Sequence, residues 1–244
     1  MKSLCTKYMS MGFNAFKIKI GQNLERDIER CKIMRNLIGY ENVLMVDSNQ
    51  IFDVQQAIDW LIKLKDFKIL WIEEPTSPDD ILGHAAIAKA LKPYNIKVAT
   101  GEMIHNRVMF KQFMQADAFE YCQVDSARIG GVNELLMVYL MAKKFNIKVC
   151  PHAGGVGLSE MIQHLQFWDY VSLSGKMEER YIEYVDQQHD QFVNPARVVN
   201  GRYLPTTLPG YSTELKEDSV VNFSYPGGKK WQEMFEQNIF PRPT

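Results

Sequence analysis

Three carboxylates close three successive β-type runs: Asp47 ends "VLMVD", Glu73 ends "ILWIE" and Glu102 ends "VATGE", 26 and 29 residues apart. Singly, a carboxylate at such a place is an ordinary helix N-cap or a surface ion pair. Three on consecutive units are different, because like charges gathered at one end of a sheet repel unless a cation neutralises them. An all-oxygen set of this kind selects a hard ion, Mg²⁺ first and Mn²⁺ second. Asn49 lies two residues past Asp47 on the same face and is a candidate substrate contact, against the usual reading of Asn after a strand as a turn residue.

Two lysines make a complementary pattern. In "FKIKIG", residues 16–21, alternate side chains of a strand point to opposite faces, so Phe16, Ile18 and Ile20 share one and Lys17 and Lys19 the other. An edge strand with its lysines in water would look the same. If the shared face is the inside of the sheet, each ammonium lowers the proton affinity of the other, helped by partial burial, and one becomes a base near neutral pH. The runs "YCQVDSARIGG" and "IKVCPHAGGVG" add Asp125 and His152 on neighbouring units, a carboxylate able to orient an imidazole for proton transfer. A satisfied core histidine is the alternative. Cys150 shares the face of His152 and raises a Cys/His nucleophile, but two residues deeper in the strand it reads as a packed thiol.

Positioning these groups falls to a repeated unit. β-rich runs recur every 24 to 34 residues, centred near 18, 45, 71, 99, 123, 149 and, more weakly, 183 in "RYIEYV", with amphipathic stretches between them. Leu24, Ile28, Cys31, Met34 and Ile38 fall at steps of three and four, which predicts a helix over 24–38, and Asp53 is placed to cap "VQQAIDWLIKL". Repeated βα units with short connections require parallel strands and right-handed crossovers. Seven of this size suit a closed (β/α)8 barrel better than an open doubly wound sheet, and in such a barrel chemistry gathers at the C-terminal strand ends. "KSLCTKYMSMGF" reads as a helix leading into the first visible strand, so βα logic expects an earlier strand and leaves the barrel one short. No linker or repeat divides residues 1–195. Beyond them "GRYLPTTLPGYS" and "SYPGGKK" read as loop, and Tyr203, Tyr211, Phe223 and Tyr225 want a surface to cover.

The 244 residues are 46% hydrophobic and 23% charged, enough for one large core. With 28 Lys plus Arg against 29 Asp plus Glu, there is no basic excess for nucleic acid. Four scattered cysteines without a C-x-x-C pair disfavour a zinc ribbon or a disulfide framework and suit a reducing compartment. No apolar stretch approaches the roughly 18 residues that span a bilayer. An intracellular protein, cytoplasmic or mitochondrial, acting on a small molecule is expected; a homo-oligomer is compatible with the sequence.

In their order, Lys17-x-Lys19, Asp47, Glu73, Glu102, the Asp125/His152 pair and Glu183 resemble the enolase superfamily, mandelate racemase subgroup. The longer strings "WIEEPTSPDDILGHAAI", "ARIGGVNE" and "CPHAGGVGLSEMIQHL" are similar to its L-fuconate dehydratase branch and the related mitochondrial enolase-superfamily proteins. The resemblance implies an α/β fold, a TIM-type (β/α)7β barrel covered by an α+β capping domain built mainly from an N-terminal segment. Residues 1–195 are then expected to be that barrel without its first strand and cap, and 196–244 a tail that docks on the cap. The resemblance also implies Mg²⁺ on Asp47, Glu73 and Glu102, Lys19 as base, Lys17 as stabiliser of the developing charge, His152 held by Asp125 as acid, and Glu183 on the substrate carboxylate. The expected reaction is dehydration of an acid sugar, L-fuconate or a relative, to a 2-keto-3-deoxy acid. Racemisation or epimerisation, or an inactive truncated form, are the alternatives; only dehydration makes a 2-keto acid. Expressed alone, residues 1–244 are expected to aggregate and to be essentially inactive.

Overall fold

The computed structural model of the chain describes residues 2–243. The order of elements is α1 (Lys2–Ser10), β1 (Ala15–Lys19), α2 (Leu24–Ile38), β2 (Val43–Asp47), α3 (Val54–Lys63), β3 (Ile69–Glu73), α4 (Ile81–Leu91), β4 (Lys97–Thr100), α5 (Arg107–Gln115), β5 (Tyr121–Cys122), α6 (Val132–Phe145), β6 (Lys148–Val149) and α7 (Leu158–Trp168). The six strands make one parallel sheet in sequence order, and a further bridge joins Asp125 to His152 beyond the ends of β5 and β6. The first four strands hand over to helices with polar caps. Asn23, Asp53, Asp80 and Asn106 accept hydrogen bonds from first-turn N–H groups of α2, α3, α4 and α5, whereas α6 and α7 start on Gly131 and Gly157 after longer connections.

Alternation along the strands separates two apolar layers. Leu44, Val46, Ile69, Ile72, Val98, Cys122 and Val149 face outward into the main core under the helices. Met45, Trp71, Ala99, Tyr121 and Cys150 face inward and form a second cluster with Tyr181. Ile69 and Ile72 both face outward despite their odd spacing because the β2–β3 register shifts between Leu44 and Val46, an irregularity that returns Glu73 to the inner face. The inner cluster is the floor of the site, since Asp47, Glu73, Asp125 and His152 follow it at the same parity.

Two expectations are corrected. Residues 180–185, read as a seventh strand, pair with no strand among the described residues, and the carbonyls of Tyr181, Glu183 and Val185 are taken up by side chains of other elements. The gap between β1 and this segment is closed by side chains: Phe13 stacks on Tyr184 at 5.2 Å between centroids, and Lys7 reaches Asp186 at 2.5 Å. Beyond residue 195, the stretch read as loop holds a hairpin, β7 (Arg197–Val199) and β8 (Arg202–Leu204), and two helices, α8 (Glu217–Phe223) and α9 (Lys229–Glu236). The hairpin turns on Asn200–Gly201, both left-handed, the Asn-Gly signal of a two-residue turn. Its tip seats on the turn after α1 so closely that a Cβ on Gly12 would lie 2.6 Å from the Asn200 carbonyl carbon. Tyr203 is thereby covered by the barrel segment itself, edge-on to Tyr184 at 5.7 Å, whereas Tyr211, Phe223 and Tyr225 stay exposed.

Candidate active site

β1 carries both lysines to the mouth, in different surroundings. Lys17 is largely buried, in contact with Glu73, 2.8 Å from Glu183 and 3.5 Å from Asp47. Lys19 is 64% exposed and its Nζ lies 2.5 Å from Asp47 Oδ2. Asp47 is oriented from behind by the N–H of Asn49 at 2.9 Å. Asn49 is exposed, left-handed and in the turn after β2, so the structure uses its backbone and not its amide against Asp47.

These contacts reverse the electrostatic expectation for Lys17. Burial alone pulls its ammonium down, but the charges of Glu73, Glu183 and Asp47 outweigh burial and hold it well above the ordinary lysine value of 10.5. Three close carboxylates dominate over one neighbouring ammonium, so Lys17 is a fixed cation. Burial works the other way on its partner and pushes Glu73 up to about 8 against the pull of Lys17. Asp47 and Glu183 are held below the usual carboxylate range: burial raises both, and is outweighed by the lysines at Asp47 and by Lys17, His152 and the Ala153 N–H at Glu183.

On the other side of the mouth, His152 Nδ1 lies 2.5 Å from Asp125 Oδ2, and Asp125 Oδ1 accepts from the N–H groups of Ala127 and Arg128. His152 Nε2 lies 3.1 Å from Glu102 Oε2 and 3.2 Å from the Gly154 nitrogen. Burial lowers the proton affinity of the imidazole, but Asp125, Glu183 and Glu102 together raise it above 6.5, which favours the imidazolium with a proton to give. Glu183 links the two sides, 2.8 Å from Lys17 and accepting the Ala153 N–H at 2.5 Å. Cys150 is 3% exposed, and burial pushes its thiol well up, which leaves it a packed thiol as its depth in the strand suggests.

The three carboxylates are not drawn into one cluster. Asp47 and Glu73 are ladder partners, but Glu73 pairs with Ala99, so Glu102 lies three residues past that register in the turn after β4. Among the described residues no three His, Cys, Asp or Glu side chains converge closely enough to hold a metal ion. The reason is visible in their partners: Asp47 is matched by Lys19, Glu73 by Lys17, and Glu102 by Arg128 at 2.8 Å. In kind, the set does suit a hard divalent cation, being oxygen only, on three successive βα turns, with each charge balanced by an organic cation a metal can replace.

Three further residues belong to the site and were passed over in the sequence. Gln123 donates to Glu73 Oε2 at 2.6 Å, and its parity with Asp125 in the extended run after β5 was a legible signal. Glu74, buried and left-handed, accepts from Gln50 at 2.7 Å and ties the turn after β2 to the end of β3. Arg128 bridges Glu102 and the Asp125 loop, a contact no local pattern announces.

Comparison with known proteins gives the family of this chain. Residues 1–219 match the family described as enolase C-terminal domain-like. Human mitochondrial enolase superfamily member 1 is 54% identical over 234 residues, covering 96% of this chain and 53% of the human protein. Its crystal structure superposes with a TM-score of 0.94 over 99% of this chain and 54% of that one. L-galactonate dehydratase of Hypocrea jecorina is 49% identical over 94% of this chain and 51% of its own length. L-talarate dehydratase from Polaromonas sp. JS666, solved with Mg and L-glucarate, is 26% identical with a TM-score of 0.77 over 89% of this chain and 57% of that one. The chain thus spans about half the length of the relatives it matches. The chain belongs to the enolase C-terminal domain-like family, with the parallel α/β architecture of that family's TIM-type barrel.

Proposed function

We propose that the mouth of this sheet dehydrates an acid sugar of the L-fuconate type to a 2-keto-3-deoxy acid. The observation that carries the reading is a base and an acid held on opposite sides of one buried charge system. Lys19 stands exposed on Asp47 on one side, the Asp125–His152 pair stands on the other, and Glu183 connects them through Lys17 and the Ala153 N–H. The dehydratase names of its relatives support the same chemistry.

Lys19, in its neutral form and released from Asp47, takes at Nζ the proton from the carbon next to the substrate carboxylate, and the C–H electron pair moves toward that carboxylate to give an enediolate. Lys17, kept protonated by its three carboxylates, supplies fixed positive charge beside it. The enediolate pair then re-forms as a carbon–carbon double bond while the neighbouring C–O bond breaks. His152 Nε2 delivers its proton to the departing hydroxyl, which leaves as water. Asp125 holds the imidazole in register and retains the Nδ1 proton. The resulting enol takes up a proton at carbon and gives up its hydroxyl proton to become the keto acid, and exchange with solvent removes the proton from Lys19 and returns one to His152, so the net balance is one water lost. Glu183, ionised and without a proton to donate, acts on the substrate carboxylate through the Lys17 ammonium that it holds in place. Asp47, Glu73 and Glu102 would hold Mg²⁺, which when bound supplies positive charge to the substrate carboxylate as negative charge develops there.

The test is incubation with Mg²⁺ and a panel of acid sugars in D₂O, reading 2-keto acid and deuterium at the carbon next to the carboxylate. Lys19→Ala abolishes deuterium incorporation; His152→Asn blocks keto-acid formation and leaves incorporation in place. Survival of exchange in Lys19→Ala with its loss in His152→Asn reverses the two roles. Deuterium incorporation with inversion and no keto acid replaces dehydration by epimerisation.

A further inference from the structure

Glu183 sits on a segment with no strand ladder to hold it, yet its carboxylate meets Lys17 at 2.8 Å and the Ala153 N–H at 2.5 Å. A backbone without a ladder needs other partners for its polar groups, and those partners decide where its side chains stand. Here they are side chains from three separate elements. Gln166 on α7 donates to the Tyr181 carbonyl at 3.1 Å and to Val149 at 3.0 Å, tying the segment to β6. Ser159 on α7 and His189 both reach the Val185 carbonyl, Ser159 at 3.4 Å. At Glu183 itself the carbonyl is taken by the hydroxyl of Tyr203 on β8, at 2.7 Å. The Tyr203 ring is edge-on to Tyr184, which stacks on Phe13, and the hairpin that carries it is seated on Gly12.

We propose that Tyr203 is a positioning residue of the site: its hydroxyl fixes the backbone of Glu183 so that the carboxylate bridges Lys17 and the Ala153 N–H. The tail hairpin is then a working part of the mouth and not only a covering of the barrel. The inference rests on the reading of Glu183 as a group of the site, but its test does not depend on turnover. The hydroxyl lies on the Glu183 carbonyl and beside the Ser159 hydroxyl, and the ring is held edge-on by Tyr184, so Tyr203→Phe removes the contact to the carbonyl and keeps the ring in its packing.

The test reads the Ala153 amide by ¹H–¹⁵N NMR. A charge-assisted hydrogen bond this short draws the amide proton far downfield. Glu183→Gln marks the position expected when the carboxylate charge is lost, and Arg202→Ala, an exposed neighbour on β8, serves as the control that leaves the resonance in place. Tyr203→Phe moves it upfield toward the Glu183→Gln position, with the spectrum otherwise that of the folded protein. A lower melting temperature in Tyr203→Phe with the Ala153 amide unmoved overturns the proposal, because a purely structural tyrosine does just that; dehydration by the site would be unaffected by this result. An amide that moves in neither Glu183→Gln nor Tyr203→Phe also overturns it, since the carboxylate is then not on Ala153. Should Tyr203→Phe yield no folded protein, Ser159→Ala loosens the same segment at Val185 and frees the Tyr203 hydroxyl of its second partner: a smaller upfield movement supports the proposal, and none overturns it.

Discussion

Replacing Lys17 by Met removes the one cation shared by three carboxylates while keeping much of the side chain's length. Asp47 and Glu73 are each about 1% exposed and Glu183 is 17% exposed, so water cannot take over the role of the ammonium. Breaking a buried ion pair by removing one partner costs roughly 3–5 kcal/mol. Protonation limits that cost near neutrality. Burial already pushes Glu73 up to about 8 with Lys17 present, and without the ammonium it takes up a proton more readily still. About 3 kcal/mol is therefore expected at pH 7, the lower end of that range. For a chain of this size that lowers the melting temperature by about 6–12 °C. The pH dependence carries the sharper signature. A carboxylate whose value is raised on folding loses stability as pH climbs from its ordinary 4.5 toward its folded value, and removing Lys17 extends that window above 8. Lys17 itself, raised above 10.5, contributes stability throughout this range and loses it only at higher pH. Urea unfolding of wild type and Lys17→Met at pH 6, 7, 8 and 9 should therefore give a difference that widens with pH. A difference under about 1 kcal/mol that stays flat from pH 6 to 9 would refute the reasoning, because it places the ammonium in solvent.

Glu73→Gln should cost most of the Mg²⁺ affinity measured by calorimetry while leaving the circular dichroism spectrum unchanged; unaltered binding would remove Glu73 from the metal set. Asp47, Asp125 and Glu183 are depressed below their ordinary 3.8, 3.8 and 4.5, so they contribute stability above those values and lose it as pH falls through their lower folded ones. His152, raised above 6.5, contributes fully below that pH and loses its contribution as pH rises through its folded value, so urea midpoints should peak between about pH 4.5 and 6.5. Gly12→Ala meets both a left-handed φ of 87° and the Asn200 backbone, and should cost more than about 1 kcal/mol in a thermal melt and speed proteolysis near Gly201.

Much of this site is written in short-range pattern. Strand alternation puts Lys17 with Lys19 and Cys150 with His152 from parity alone, and Asp47 and Glu73 were placed by closing their apolar runs; the structure sets them at the inner ends of β1, β2, β3 and the run after β6. Helix starts are equally local: Asp53 caps α3, and 24–38 is helical with the bounds its apolar spacing predicts. The Asn200–Gly201 hairpin was also present in the sequence, but the loop-like residues around it obscured the alternation. What no local pattern contains is the pairing of charges across the sheet. Whether Lys17 is a lowered base or a fixed cation depends on three carboxylates from β2, β3 and residue 183 meeting at one ammonium, a matter of register and closure. Arg128 on Glu102, Gln166 on Tyr181 and Tyr203 on Glu183 are of the same kind. The run at 180–185 had the composition of a strand, but a strand exists only where a neighbour offers a ladder, and there the surrounding side chains supply the hydrogen bonds instead.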